Sequence, residues 1–143
     1  MRLVDANVLL YAVNEAEPRH AEAREWLDTS LSGAETVGFA WMVLLAFVRL
    51  STKAGLFPRP MAVDAAMDVV RLWVGDGAGL VVEPTPRHLD VVAGLLRTSG
   101  TGGNLVSDAH LAALALEHDA TIVSYDRDFQ RFSGVRWREP SLE

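Results

Sequence analysis

Residues 105–128 read LVSDAHLAALALEHDATIVSYDRD, and this stretch decides the fold. Its first part, residues 105–118, is apolar on most faces and predicts a buried helix that opens with Asp108. Residues 121–124 are short and apolar and predict a buried strand. That strand leads directly to two more acids, the first of which is Asp126. A buried helix followed by a buried strand is typical of a sheet whose strands run parallel.

Outside this stretch, short apolar strands continue to alternate with helices. We predict strands at residues 2–6, 36–40, 80–82 and 135–138, and helices at residues 7–13, 20–31, 41–50, 60–74, 87–96 and 126–132. The helix at 41–50 is apolar on every face until Arg49 and is predicted to be mostly buried. Residues 75–79 are predicted to form a glycine-rich turn. The alternation indicates an α/β/α sandwich with a mostly parallel central sheet of four to five short strands.

The composition indicates one globular domain over residues 1–143. Hydrophobic residues make up 50% of the chain and charged residues 22%, which suits a folded core. The chain has no cysteine, which excludes a thiolate metal site and fits a reducing cytosol. The N-terminus lacks the pattern of a signal peptide, and the longest apolar run, residues 39–48, is about half the roughly 20 residues that a membrane span needs. We therefore expect a cytoplasmic protein without a membrane partner.

The net charge of −6 argues against a broad basic surface for nucleic acid. The cations are nonetheless almost all arginine, since Lys53 is the only lysine. Arginine suits bidentate contacts to phosphate, although codon bias produces the same skew. The sequence therefore does not exclude a local rim of basic residues around an acidic pocket.

Three acids are candidates for one site. Asp5 and Asp126 each follow an apolar strand, and Asp108 opens the helix described above. Ligands of open parallel sheets bind beyond the carboxyl ends of the strands, so these carboxylates are expected to converge there. Carboxylates forced together repel one another, and a divalent cation relieves the conflict; oxygen ligands favour Mg²⁺ or Mn²⁺ over zinc. Helix capping is the alternative for Asp5, Asp126 and Asp128, whereas Ser107 is the better cap beside Asp108.

No other catalytic apparatus is visible in the sequence. It contains neither a G-x-S-x-G elbow nor a Walker A lysine motif. Residues 100–103 are predicted to be a flexible connection that lets Asn104 and Asp108 settle at the pocket, where Asn104 would bind a water of the metal ion. The four histidines have no partner at ligand spacing and are predicted to be surface or packing residues: His20, His88, His110 and His118.

Three segments together resemble a PIN-domain protein and, more narrowly, a VapC-type toxin ribonuclease. They are VDAN at residues 4–7, GNLVSDAHLAALA at 103–115 and TIVSYDRDF at 121–129. The two C-terminal motifs are specific in combination, and the resemblance covers nearly the whole chain. It implies that the sandwich is PIN-like.

The resemblance also implies a function and a set of residue roles. It implies a Mg²⁺- or Mn²⁺-dependent endoribonuclease that cuts structured RNA, such as tRNA or rRNA, with a metal-activated water. It implies a cognate VapB-like antitoxin and a toxin homodimer, assembled with the antitoxin into a heterotetramer or larger complex. Carried over by position, Asp5 and Asp108 are the principal metal ligands, Asp126 completes the acidic cluster, and Asp128 is a further ligand or a supporting group.

One departure from the family concerns the helix after the second strand, where a glutamate is usual. That position falls near Ala46 or Phe47, and the helix predicted at 41–50 contains no acid. The loss leaves open whether one or two metal ions bind. Arg49 matches the basic residue that commonly follows the glutamate, and it is expected to contact phosphate or to hold an acid in place.

The resemblance suggests that the antitoxin binds a groove near the N-terminal helices. Trp26, Leu56 and Phe57 are candidate apolar contacts, with core packing as the alternative for Trp26. An antitoxin arginine that enters the acidic pocket would replace the charge of the metal.

Other classes of function compete with this hypothesis. The main alternative is a catalytically weak or inactive PIN module that binds RNA or a protein partner, because the glutamate is missing. A receiver-like phosphotransfer domain also uses acids at strand ends, but it needs a lysine late in the chain and Lys53 is the only lysine. A metal-dependent DNA flap nuclease is a further alternative within the nucleases.

Overall fold

The computed structural model describes residues 1–75 and 77–142 and contains a five-stranded sheet. The strand order is β3-β2-β1-β4-β5, and each neighbouring pair is parallel. The strands are β1 (Arg2–Val4), β2 (Val37–Phe39), β3 (Gly79–Val81), β4 (Thr121–Val123) and β5 (Arg136–Arg138). The predicted α/β sandwich is therefore confirmed, and the described sheet is parallel throughout rather than mostly parallel.

Six α-helices and one 3₁₀ helix connect these strands in the described part of the chain. They are α1 (Ala6–Val13), α2 (His20–Leu31), α3 (Trp41–Thr52), α4 (Val63–Gly75), α5 (His88–Ser99), α6 (Leu105–Glu117) and the 3₁₀ helix Arg127–Arg131. The predicted start of α4 was three residues early. The Met61 N–H donates to the carbonyl of Ser51 at 2.8 Å, which ties the segment before α4 to the end of α3. The turn predicted at 75–79 includes Asp76, which lies outside the described residues.

The two central strands bring distant parts of the chain together. Leu3 of β1 pairs in register with Ile122 of β4, and Val4 pairs with Val123. All four side chains are fully buried, so the hydrophobic effect holds this register against slippage. The residues that follow β1 and β4 consequently emerge side by side at the carboxyl edge of the sheet.

Helix α3 differs from the prediction. Val43, Leu44 and Phe47 are buried as expected, but Trp41 and Leu45 are 50% and 60% exposed. A helix on one side of a sheet buries a stripe rather than its whole circumference, and apolar residues on its other faces stay in contact with solvent. The prediction that α3 is mostly buried is therefore wrong for its outer face.

The three proposed antitoxin contacts differ in how deeply they are buried. Trp26 is 1% exposed and belongs to the core, so core packing was the correct alternative for this residue. Phe57 is also buried, at 8% exposure, and the prediction of an exposed contact is wrong because its loop folds back onto the core. Leu56 remains exposed at 44% and is the one candidate of the three that a partner could reach.

Two of the histidines are packing residues, as predicted, and they contact each other, which their spacing in the sequence did not indicate. His88 Nε2 lies 2.8 Å from His110 Nδ1, and His88 Nδ1 lies 2.5 Å from the Glu117 carboxylate. Glu117 also accepts hydrogen bonds from the Thr85 backbone and hydroxyl. The pairing depends on the packing of α5 against α6, which sequence spacing does not reveal. It joins the two helices through a side-chain network next to the core.

The other two histidines, His20 and His118, are also packing residues, as predicted. His20 Nδ1 lies 2.8 Å from the carbonyl of Tyr11, and His118 Nε2 lies 2.7 Å from the carbonyl of Glu83. Within residues 1–75 and 77–142, no helix combines the length and the apolar character needed to cross a membrane.

Candidate metal centre

Asp5 stands where β1 passes directly into α1. Its backbone is extended, at φ −90° and ψ 159°, and its Oδ1 accepts the Ala6 N–H at 2.8 Å, so it caps the helix. Its Oδ2 accepts the Ser124 hydroxyl at 2.7 Å. The capping alternative is therefore correct for Asp5, but it does not exclude a site, because the same carboxylate also lines the cavity at the sheet edge.

Ser124 and Asn7 are site residues that the sequence interpretation missed. The Ser124 hydroxyl is fully buried, donates to Asp5 and accepts the Asp126 N–H at 2.9 Å. Asn7 Nδ2 donates to the same hydroxyl at 3.0 Å, and Asn7 Oδ1 accepts the Tyr125 N–H at 3.2 Å. These bonds connect the end of β1 to the end of β4. The available signal was a polar residue that closes an apolar strand and an amide two residues beyond Asp5.

Asp126 caps the 3₁₀ helix and joins an acidic cluster at the same time. Its Oδ1 accepts the Asp128 N–H at 2.9 Å. Carboxylate oxygens of Asp108, Asp126 and Asp128 lie within 4.8 Å of one another, a spacing that suits a single cation. The structure thus brings together three of the four predicted acids, with Asp128 exposed at the rim. Asp5 lies outside this three-acid group but borders the same cavity as Asp108 and Asp126.

Asp108 lies in the first turn of α6, and its N–H is donated to the Asn104 carbonyl at 2.9 Å. Asn104, rather than Ser107, occupies the position before the helix, so the predicted cap was wrong. Burial, together with the charges of Asp126, Asp5 and Asp128, raises the pKa of Asp108 to about 6. All four acids therefore interact electrostatically, and at neutral pH their mutual repulsion is uncompensated without a cation.

Asp5 is subject to the same two effects, burial and repulsion by a neighbouring acid. Burial raises its pKa, hydrogen bonds from Ser124 and Ala6 oppose that rise, and the charge of Asp126 adds to it. A divalent cation would offset both the burial and the repulsion. The available ligands are carboxylate oxygens, which suit Mg²⁺ or Mn²⁺ better than softer metals. The residues present therefore fit the expected ion.

The acids border a cavity of about 350 Å³ with mixed walls. Its polar lining is formed by Asp5, Asn7, Arg49, Asn104, Ser107, Asp108 and Asp126. Helix α3 contributes the apolar side chains Met42, Val43, Ala46 and Leu50, in the region where the family usually has a glutamate. Arg49 is the one cation among the described lining residues, and in residues 1–75 and 77–142 it forms no ion pair with an acid. The second role expected for Arg49, holding an acid, is therefore not observed.

Comparisons with known proteins agree with this geometry. A family model of the PIN domain matches residues 2–135. The chain therefore belongs to the PIN-domain family. Over 140 residues it is 59% identical to ribonuclease VapC37 of Mycobacterium tuberculosis, covering 98% of this chain and 97% of that protein. It is 36% identical to ribonuclease VapC33 of the same species over 143 residues, which is 100% of both chains.

Solved structures show the same fold at low sequence identity. The structure of VapBC2 from Rickettsia felis, bound to a promoter DNA fragment, matches with a TM-score of 0.71 at 17% identity and 98% coverage of both chains. VapC20 of Mycobacterium tuberculosis, described as a sarcin–ricin loop cleaving toxin, matches with a TM-score of 0.68 at 20% identity. That match covers 95% of this chain and 99% of the other. The PIN-like architecture predicted from the sequence is thereby confirmed.

Proposed function

We propose that this protein is a VapC-type toxin, an endoribonuclease that cuts structured RNA such as tRNA or rRNA and depends on Mg²⁺, with Mn²⁺ as a substitute. The observation that carries the proposal is the cluster of Asp108, Asp126 and Asp128 beside Asp5 at the carboxyl edge of a PIN-domain sheet. The VapC ribonucleases to which the chain is similar over nearly its full length support the same activity.

The positions of the four acids support the following roles. Asp108 and Asp126 are the ligands best placed to hold the cation, since they belong to the three-acid group and also line the cavity. Asp128 completes the group from the rim, and Asp5 adds a fourth carboxylate from the end of β1, the strand that pairs with β4. When bound, a divalent cation supplies a Lewis acid for the scissile phosphate and lowers the pKa of the attacking water.

The other polar residues orient these acids. Ser124 fixes the Asp5 carboxylate, and Asn7 fixes both Ser124 and the backbone of Tyr125. These hydrogen bonds hold the acids in place before substrate arrives, so little reorganisation is needed during the reaction. Asn104 borders the cavity on the α6 side, where it can bind water.

Arg49 is assigned to the phosphate. It borders the acidic cavity and has no acid as a partner among the residues that the structure describes, so its guanidinium donors are available to the RNA backbone. The apolar wall formed by Met42 and Ala46 of α3 offers no further carboxylate. We therefore assign one cation, rather than two, to this site.

The partner and the compartment are proposed from the family resemblance. This chain is proposed to bind a VapB-like antitoxin in the cytoplasm, and the fold that it shares with VapBC2 of Rickettsia felis supports such a partner. Leu56 is a candidate contact because it is exposed.

The decisive experiment incubates the purified protein with total RNA in Mg²⁺ or in EDTA and sequences the new 5′ ends. We expect cleavage only with the metal ion, with a phosphate at each new 5′ end. Asp108→Asn is expected to reduce cleavage by at least about 100-fold, because a ligand is lost from the cluster. Asp64→Asn is the matched control, since Asp64 is an exposed acid in the first turn of α4 and should leave cleavage unchanged.

The same experiment separates the alternatives. RNA that binds without metal-dependent ends would favour the inactive module, for which the missing acid of α3 is the specific observation. Preferential cleavage of branched DNA over RNA would favour a flap nuclease. Unimpaired cleavage by Asp108→Asn would refute the assigned site.

A further inference from the structure

A group of side chains that contains two arginines surrounds Tyr125, the residue before Asp126. Tyr125 immediately precedes Asp126, and the guanidinium carbon of Arg19 lies 4.6 Å from the centroid of its ring. The ring also packs against Tyr11, with 5.2 Å between the centroids, and its hydroxyl donates to Glu22 at 2.8 Å. Tyr125 is thus held from two sides, and it provides a fixed surface on which the Arg19 guanidinium rests.

Beside Tyr125, the carboxylate of Glu139 pairs with the guanidinium groups of both Arg19 and Arg127. Glu139 Oε2 lies 3.8 Å from Arg19 Nη1, and Glu139 Oε1 lies 3.7 Å from Arg127 Nε. These three charges sum to +1, and Glu22, which accepts the Tyr125 hydroxyl, brings the charge of the whole group to zero. Both separations are longer than a good charge-assisted hydrogen bond, and the arginine side chains are 49% and 77% exposed. Most of their N–H donors therefore remain available to an incoming group.

The location of this pair identifies the group that it would hold. Arg127 lies between Asp126 and Asp128 in the sequence, and its partner Glu139 directly follows β5, the strand that pairs with β4. The ion pair therefore lies at the carboxyl edge of the sheet, as the acids do. RNA that approaches these acids meets repulsion from them and from a chain with a net charge of −6. Arginine donors in a preset geometry are suited to a phosphate group and would offset that repulsion locally.

We propose that Arg19 and Arg127, aligned by Glu139, form a subsite for a backbone phosphate of the RNA on the Asp126 side of the cavity. This inference rests on the proposed function and adds a residue-level binding site to it. Arg49 lies on the α3 side of the cavity, so the RNA strand would be held on both sides of the acids.

The test measures binding of fluorescently labelled bulk tRNA to Asp108→Asn protein in Mg²⁺ buffer, over a series of salt concentrations. Adding Arg19→Ala or Arg127→Ala is expected to weaken binding about fivefold and to reduce the slope of log K against log salt by about 1, since one phosphate contact is lost. Lysine at either position should keep the slope but recover only part of the affinity, because the charge remains without the fork of donors.

Arg24→Ala and Arg71→Ala are the matched controls. Each is an exposed arginine paired with an acid of its own helix, Arg24 with Asp28 and Arg71 with Asp68. Both variants should retain the affinity and the salt slope of the parent. The inference is overturned if Arg19→Ala and Arg127→Ala bind tRNA like these controls, or if they weaken binding without changing the slope.

Cleavage by the protein with an intact Asp108 distinguishes the two proposals. Metal-dependent cleavage together with control-like binding by the arginine variants would leave the nuclease function standing and reject the subsite. Loss of affinity and slope in the arginine variants, in a protein that cuts no RNA, would support the subsite and reject the nuclease function.

Discussion

Ser124 shows how much of the site depends on one small side chain. Its hydroxyl is fully buried and lies between the Asp5 carboxylate and the Asp126 backbone. Sequence patterns identified Asp5, Asp108 and Asp126 because acids at strand ends stand out among apolar residues. The same patterns passed over Ser124, since a serine at the end of a strand is common and its partners Asp5 and Asn7 lie more than 100 positions away in the sequence.

Replacing Ser124 with alanine should reduce both stability and cleavage. The change leaves Asp5 Oδ2 and the Asp126 N–H without their buried partner, which costs about 1–3 kcal/mol of the free energy of unfolding. Urea unfolding measures the first effect, and initial cleavage rates in Mg²⁺ measure the second. Ser133→Ala, at an exposed serine, should change neither. Equal behaviour of the two variants would show that the hydroxyl does not hold the acids.

Asp108 makes the stability of the metal-free protein depend on pH. Its folded-state pKa of about 6 lies above its ordinary value of 3.8, so the folded protein binds more protons than the unfolded chain between these two values. Stability should therefore fall as pH rises through this interval, and the loss should be complete above about pH 6.

Asp108→Asn removes this dependence and should stabilise the protein in EDTA at neutral pH. The neutral amide avoids repulsion from Asp126, Asp5 and Asp128, which no longer face a fourth charge. Urea midpoints at pH 5 and pH 7.5, with the parent protein in EDTA and in Mg²⁺, provide the measurement. The parent should gain stability from Mg²⁺ and the variant should gain less. The stability advantage of the variant over the parent in EDTA should be larger at pH 7.5 than at pH 5, and an advantage that does not grow with pH would contradict the assignment.

Among the elements, α6 and β4 were predictable because most of their residues are apolar and the residues at their ends are polar. The outer face of α3 was not predictable, because a helix that is apolar all round gives no indication of which stripe the sheet covers. The contact between His88 and His110 was equally hidden, since these residues belong to two helices and meet only when the helices pack. Periodicity identifies elements, whereas packing decides which of their faces meet.

Glu117 tests the docking of α5 against α6. Burial alone would raise its pKa, but hydrogen bonds from Thr85 and His88 outweigh that effect and lower the pKa. Its contribution to stability is therefore present above its ordinary pKa of 4.5 and is lost as pH falls through the lowered value. Glu117→Gln should cost about 1–3 kcal/mol of unfolding free energy at neutral pH, because the amide cannot satisfy all the donors. Glu25→Gln, at an exposed acid of α2, should cost almost nothing in the same urea experiment.

For the whole molecule, the decisive event is the pairing of β1 with β4. It brings Asp5 from the start of the chain to the acids of the second half. Sequence order predicted that convergence because carboxyl ends of parallel strands share one edge. It did not predict that Asp128 stands at the rim or that Asp5 lies outside the three-acid group, since those distances depend on the 3₁₀ helix and on side-chain orientation.

The exposed face of α3 bears on the predicted homodimer. Trp41 and Leu45 are separated by one helical turn and are 50% and 60% exposed, and one turn further on Arg49 borders the cavity. A second copy seated on this face would bury large apolar side chains and would lie next to the acidic site. Leu45→Glu should therefore convert a dimer into a monomer in sedimentation velocity experiments, since a carboxylate cannot be buried there unpaired. Leu72→Glu, at a leucine of α4 that is 76% exposed, should leave the dimer intact, and dissociation by both variants or by neither would place the interface elsewhere.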